Sequence, residues 1–261
     1  MMALVRAFGT VHHGFMRNRR FQVDRLEGPI IHVRGDEADH ALRVLRLKVD
    51  EEVTLFDGRG GEAVGRIVRA GRGEFEVQID RRKQDAPSNL PVLALAVALP
   101  KGNRADWLVE KCAELGVTDL TPLSCERGQV SPGDGKLVRW RRKAVEAAKQ
   151  SGQAATMRIR AEETVAGILS SPPRDRQVYY GQPRADCPGL IEILSRERPR
   201  HALIIIGPEG GFTDGERSQI EAGGGRAVRL AESVLRVETA AVSVAAVWAC
   251  WRSRAAVGGA D

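Results

Sequence analysis

Aromatic residues are scarce, two Tyr, six Phe and four Trp in 261 positions, so any core must be built from Ala, Val, Leu and Ile. Long hydrophobic runs are missing too. The longest late uncharged stretch, residues 239–251, is 13 residues, short of the roughly 20 apolar residues a bilayer-spanning helix needs. No membrane partner is therefore expected. Cysteine is sparse and scattered: Cys112, Cys125, Cys187 and Cys250 form no C-x-x-C and have no His at ligand spacing. That pattern argues against a disulfide scaffold and against a zinc site, and for reduced thiols in a cytosol-like compartment. No metal is expected. With 43% hydrophobic and 28% charged residues, the chain reads as globular rather than disordered or collagenous.

Charge is more informative by location than in total. The net is +6, from 40 Lys and Arg against 34 Asp and Glu. Residues 1–90 carry 16 basic and 14 acidic side chains, whereas residues 127–160 carry nine basic (Arg127, Lys136, Arg139, Arg141, Arg142, Lys143, Lys149, Arg158, Arg160) and two acidic (Asp134, Glu146). All of the excess can be assigned to that second stretch. It is either a solvated helix face or the local field that phosphate binding requires. Arg17, Arg19, Arg20 and Arg25 cluster early, and Arg43, Arg46 and Lys48 follow a short helix; together these favour nucleic acid over an acidic small molecule.

The rhythm of the chain changes at Gln84-Asp-Ala-Pro-Ser-Asn-Leu-Pro91, a stretch suited to neither helix nor strand. Before it, β-like segments (21–23, 30–33, 52–56, 63–68, 75–79) surround one helix over 37–45 with Asp36 as N-cap, which reads as a small closed or half-closed barrel. After it, strands alternate with helices in an α/β domain of about 170 residues. Val92–Leu99 suits a strand buried on both faces, and Asn103 is placed to cap the following helix. Thr213-Asp-Gly-Glu216 has capping-box spacing. The last helix, about 237–251, carries Ala245, Ala246, Trp248 and Trp251 around much of its circumference, so it is either core or subunit interface. Residues 1–20 contain basic but no acidic side chains, and read as an unstructured extension, a cloning remnant or a short transit segment.

The most informative stretch is Leu203-Ile-Ile-Ile-Gly-Pro-Glu-Gly-Gly-Phe-Thr213. A buried strand runs into a glycine-rich turn and then into a capped helix, the place where open α/β sheets receive ligands. It is neither the dinucleotide fingerprint nor a phosphate-binding P-loop. The alternative is a tight turn that uses Gly for geometry alone. The strand at 227–230 ends similarly before Ala231-Glu-Ser-Val-Leu-Arg-Val-Glu-Thr-Ala240.

These residues resemble the RsmE family of 16S ribosomal RNA uridine-N3 methyltransferases, in the SPOUT superfamily. The likeness rests on Ile206–Phe212 and Leu235–Ala241, and continues through His40–Lys48, Lys101-Gly, Glu110–Val117, Pro122–Arg127 and Glu146–Gly152, in order, over about residues 19–252. It implies an N-terminal PUA-like β-barrel that binds RNA (19–84, after a flexible extension over 1–18), a linker (85–91), a SPOUT α/β domain with a trefoil knot (92–252) and a tail (253–261). It further implies a homodimer using S-adenosyl-L-methionine on small-subunit ribosomal RNA or a 30S-type particle, in the cytoplasm, or in an organelle stroma or matrix if residues 1–20 are a transit remnant.

Carried over by position, the cofactor set is Ile206, Gly207, Pro208, Glu209, Gly210, Leu230, Ala231 and Leu235, with Thr239 and Ala240 closing the site. RNA contacts are expected from Arg17, Arg19, Arg20, His40, Arg43, Arg46, Lys48, Lys101, Arg141, Arg142 and Lys143, with Lys101 alternatively at the cofactor's edge. Methylating N3 of uracil requires loss of the imide proton and stabilisation of charge on two ring oxygens. Arg236 is the first choice for that stabilisation and Arg127 the second. Glu238, Glu209 or solvent would take the proton, and each Glu has a structural alternative as an acceptor for loop N–H groups. Ala231 and Ser233 stand where the family usually has Gly and often Arg. The rival readings are a SPOUT methyltransferase acting on another RNA such as tRNA, and a non-catalytic ribosome assembly factor.

Overall fold

The computed structural model describes residues 19–84, 90–128, 131–170 and 175–257. The extension over 1–18, with Arg17, and most of the expected linker lie outside the described residues. The chain divides into two compact units. One comprises residues 19–84 with Lys149–Ala155, and the other Ser88–Ala148 with the chain from Thr156 onward. Lys149–Ala155 fall inside the span expected for the second domain, yet they pack with the first unit. Lys149 forms an ion pair with Glu37 at 2.6 Å, Arg20 donates to the Gln153 carbonyl at 3.2 Å, and Gly60 N–H donates to Ala154.

The first unit is a five-stranded sheet in the order β1-β3-β4-β5-β2, built from β1 (Arg20–Gln22), β2 (Ile30–Arg34), β3 (Glu52–Phe56), β4 (Gly61–Ala70) and β5 (Glu74–Gln84). β1 lies parallel to β3 and the other neighbours are antiparallel. Inward residues at alternate positions, including Val33, Val53, Leu55, Ile67 and Val77, close over Phe21 and Phe75, whose rings meet edge-on at 5.5 Å. The helix expected over 37–45 is instead a short α1 (Asp36–Asp39) running into a π-helical turn, His40–Val44. Its N-cap is Gly35 rather than Asp36, with φ 66°, a backbone conformation an L side chain rarely adopts.

The second unit is a three-layer α/β sandwich. Its seven-stranded sheet is parallel, in the order β12-β10-β11-β6-β7-β8 with β9 also on β7: β6 (Val92–Val97), β7 (Asp119–Ser124), β8 (Arg158–Ile159), β9 (Glu163–Thr164), β10 (Arg176–Gly181), β11 (His201–Ile206) and β12 (Arg226–Val228). Side-chain alternation divides the core. Ile204 and Ile206 face α2 (Asn103–Glu114), α3 (Asp134–Ser151), α5 (Leu190–Glu197) and α7 (Val237–Val257), while Leu203 and Ile205 face α4 (Val165–Ser170) and α6 (Asp214–Ala222). The short β8, β9 and α4 have no clear signal in the sequence. Asn103 is the first helical residue of α2, and Gly102, at φ 68°, occupies the cap position assigned to it. α7 continues to Val257, so the expected tail begins inside a helix.

Candidate active site

A cavity of about 490 Å³ opens at the carboxyl ends of β10, β11 and β12, where parallel strands deliver their loops to one place. Three chain segments build its walls. Gly207–Phe212 leaves β11, Leu230–Ala240 joins β12 to the first turn of α7, and Gly181-Gln-Pro183 leaves β10. The sequence of the first segment dictates its shape. A Cβ on Gly207 would lie 2.9 Å from the Phe212 ring, so only Gly lets that ring fold back beneath the turn and pack edge-on against Tyr180 at 6.2 Å. Gly211 sits at φ 69° and its N–H closes the turn onto Pro208 O at 2.8 Å. Thr213 then caps α6 in a complete capping box with Glu216, as the spacing predicts.

Most of the residues singled out for the cofactor and for catalysis converge here. Ile206, Gly207, Pro208, Glu209, Gly210, Leu230, Ala231, Leu235 and Ala240 line the cavity, and so do Arg127 and Arg236. Arg127 comes from the loop after β7, and its Nη1 donates to the Gly210 carbonyl at 2.9 Å. Arg236 is exposed, in the last loop residue before α7. Two residues of the set do not line it. Thr239 is exposed on α7, and Glu238 is buried on that helix with Oε1 3.4 Å from Arg104 Nη1 and Oε2 without a hydrogen-bond partner. Gly181, Gln182, Pro183 and Arg217 also line the cavity. The sequence signal for the first three was a Gly-Gln-Pro turn directly after an apolar Val-Tyr-Tyr strand.

The basic residues are less uniform than their spacing suggests. Arg20 is largely buried, paired with Glu62 at 2.7 Å and stacked over Phe56. Arg19 pairs with Glu51 at 2.9 Å and Arg43 with Asp39 at 3.2 Å. His40, Arg46, Lys48 and Lys101 are exposed. In the basic stretch of the second unit, Arg139 pairs with Asp106 at 2.7 Å, Lys143 with Glu110 at 3.7 Å, and Arg158 and Arg160 share Asp119 at 2.6 and 2.7 Å. Arg141 and Arg142 are exposed on α3. Among the described residues, no group of His, Cys, Asp or Glu is arranged to hold a metal ion, and no helix is long and apolar enough to cross a membrane.

Known proteins show the same organisation. A family model for an RNA methyltransferase domain matches residues 87–249, and one for an RNA methyltransferase PUA domain matches residues 33–80. The ribosomal RNA small subunit methyltransferase E of Mycobacterium bovis is 32% identical over 239 residues, covering 85% of this chain and 87% of that protein. The protein of the same name from Synechocystis is 32% identical over 200 residues, covering 76% of this chain and 65% of its own length. Among solved structures, the Neisseria gonorrhoeae ribosomal RNA small subunit methyltransferase E bound to S-adenosyl methionine has a TM-score of 0.77 at 27% identity, over 87% of this chain and 95% of that one. A putative methyltransferase from Legionella pneumophila, also with S-adenosyl methionine bound, has a TM-score of 0.77 at 27% identity, over 90% and 98%. With a domain model spanning more than half its length and a relative of this identity along most of both sequences, the chain belongs to the ribosomal RNA small subunit methyltransferase E family.

Proposed function

We propose that this chain transfers a methyl group from S-adenosylmethionine to N3 of a uridine in small-subunit ribosomal RNA. The observation that carries the reading is the convergence of Arg127 and Arg236 on one glycine-walled cavity at the sheet's carboxyl edge. The cavity fits the cofactor. Its volume lies in the range of small-molecule sites, Ile206, Leu230, Leu235 and Ala240 offer apolar walls for an adenine, and the turn at Gly207–Gly211 exposes backbone groups for the polar ends. A Cβ at Gly181 would meet Leu230 at 3.4 Å, so the glycine brings the end of β10 close against that apolar wall.

The bound cofactor supplies an electrophilic methyl group on sulfur. The protein must bring a uracil beside it and favour the base's anionic form. Guanidinium groups beside the two ring oxygens do so, because a fixed cation in a partly desolvated site stabilises the charge that develops as N3 loses its proton. Arg236 takes that role, with Arg127 assisting while it holds the turn. Glu209, exposed on the cavity wall, or solvent accepts the imide proton. Glu238 lies behind the wall and is read instead as a support for the first turn of α7. Residues 19–84 are the RNA-binding domain, with His40, Arg43, Arg46 and Lys48 as its contacts. The enzyme works as a homodimer in the cytoplasm, with its catalytic domain threaded as a knot. Incubating the purified protein with methyl-labelled cofactor and small subunits lacking the modification, then mapping the product by mass, should place one methyl on N3 of a uridine. Label appearing only in tRNA, or in no RNA, would overturn the reading.

A further inference from the structure

Glu216 is a buried carboxylate next in sequence to Arg217 of the cavity wall, and its hydrogen bonds exceed what a helix cap requires. As the third residue of α6 it accepts the Thr213 N–H on Oε2 at 2.9 Å and completes the capping box. Its other oxygen, Oε1, accepts the backbone N–H of Glu126 at 2.9 Å, from a loop 90 residues earlier in the chain. The thiol of Cys125, in the same loop, also faces this carboxylate, and burial together with Glu216 pushes that thiol up to about 12. The loop is a tight turn, with Gly128 N–H donating to Cys125 O at 2.8 Å. Arg127 stands between those two anchors. Its stem runs along the turn after β11, where a Cβ on Gly210 would lie 3.4 Å from its Cδ, and its Nη1 holds the Gly210 carbonyl.

We infer that Glu216 is a positioning residue for methyl transfer: by tying the Glu126 amide to the start of α6 it fixes where the Arg127 guanidinium stands relative to the cavity. A carboxylate suits the task because each oxygen can accept a separate backbone N–H. An amide offers one acceptor oxygen, so in Glu216→Gln one of the two ties faces an NH2 group instead. Thr213→Ala weakens the α6 cap and also removes the 3.3 Å bond from the Thr213 hydroxyl to the Glu126 carboxylate, but it leaves the Glu126 backbone N–H on Glu216, so the pair of variants isolates that amide tie.

The inference rests on the function proposed above, and two measurements keep their failures apart. In methyl transfer to small-subunit RNA, Glu216→Gln should lower kcat about tenfold or more, with the KM for cofactor within about twofold of wild type. Thr213→Ala should lower the melting temperature and leave kcat within about twofold. In an Arg127→Ala background, Glu216→Gln should add less than about twofold, because the two changes act through one guanidinium. Independently of any activity, amide hydrogen exchange at Glu126 should accelerate in Glu216→Ala, which removes both acceptor oxygens, and not in Thr213→Ala. Equal kcat losses in the two single variants, multiplicative losses with Arg127→Ala, or unaltered exchange at Glu126 would each overturn the assignment. A wild-type protein without transferase activity would strike the proposed function, and the exchange measurement would still decide whether Glu216 holds the loop.

Discussion

At the scale of single residues, chemistry separates side chains that look alike in sequence. Glu209 and Glu238 are both acids beside motif glycines or threonines, yet one is exposed on the cavity wall and the other is buried against Arg104. The two arginines differ as well. Arg127 is committed to a carbonyl of the turn, whereas Arg236 is an exposed wall residue. Arg236→Ala should therefore lower kcat by roughly 100-fold, the scale set by loss of one charge-stabilising donor, while RNA affinity measured by filter binding changes little. Parallel loss of both would show that Arg236 binds RNA rather than stabilising charge. The local motifs made most of this cavity legible: nine of the ten residues carried over for the cofactor line it, because each belongs to a strand-end turn whose glycines and apolar neighbours are adjacent in sequence. Thr239 and Glu238 stand outside the cavity lining, one exposed and the other buried at the start of α7, and a one-residue difference in helix phase is invisible without the neighbouring layer.

At the scale of elements, the capping box of α6 was readable because all of its partners lie within four residues. The starts of α1 and α2 were not, since Gly35 and Gly102 serve there through backbone geometry and have no side chain to announce them. The edge strand β12 is secured by contacts no local pattern contains. Arg226 reaches Glu197 of α5 at 2.6 Å, and Glu197 also accepts the Tyr179 hydroxyl at 2.7 Å. The Arg226 guanidinium, followed by the tyrosine hydroxyl, holds the Glu197 carboxyl below its ordinary range against the opposing effect of burial. A carboxylate whose folded-state pKa is depressed contributes stability above its unfolded value and loses that contribution as pH falls through the folded one. Glu197→Gln should thus lower stability near neutrality and narrow the difference between unfolding free energies measured at about pH 7 and about pH 3. An unchanged difference would show that the pair contributes nothing to the acid limb.

At the scale of the whole molecule, the +6 net charge becomes a pattern of pairs. Of the nine basic residues between 127 and 160, Arg139, Lys143, Lys149, Arg158 and Arg160 each meet a carboxylate that lies outside that stretch. Linear counting exaggerates the field such a segment presents to RNA. Lys136 and Arg141 are exposed along α3. Neutralising these two should flatten the salt dependence of RNA binding, by roughly 0.7 in the log–log slope for each phosphate contact to single-stranded RNA that is lost. Lys149→Met should instead destabilise the first unit, because it leaves the half-buried Glu37 without its cation, and should leave the salt slope of the folded protein unaltered. A reduced slope with Lys149→Met would place RNA on a residue assigned here to the fold.

The sequence by itself determined the change from short alternating strands to β/α repeats, the buried parallel strands, the capped α6 and the glycine turns at the cavity. Each of these is a local pattern whose physical cause lies within a few residues. Tertiary structure alone decided which carboxylates neutralise which arginines, that Lys149–Ala155 pack with the first unit, and that Glu216 joins two loops 90 residues apart. Those outcomes depend on contacts between residues distant in the chain, and hydrophobic periodicity and capping signals carry no information about partners that only folding brings together.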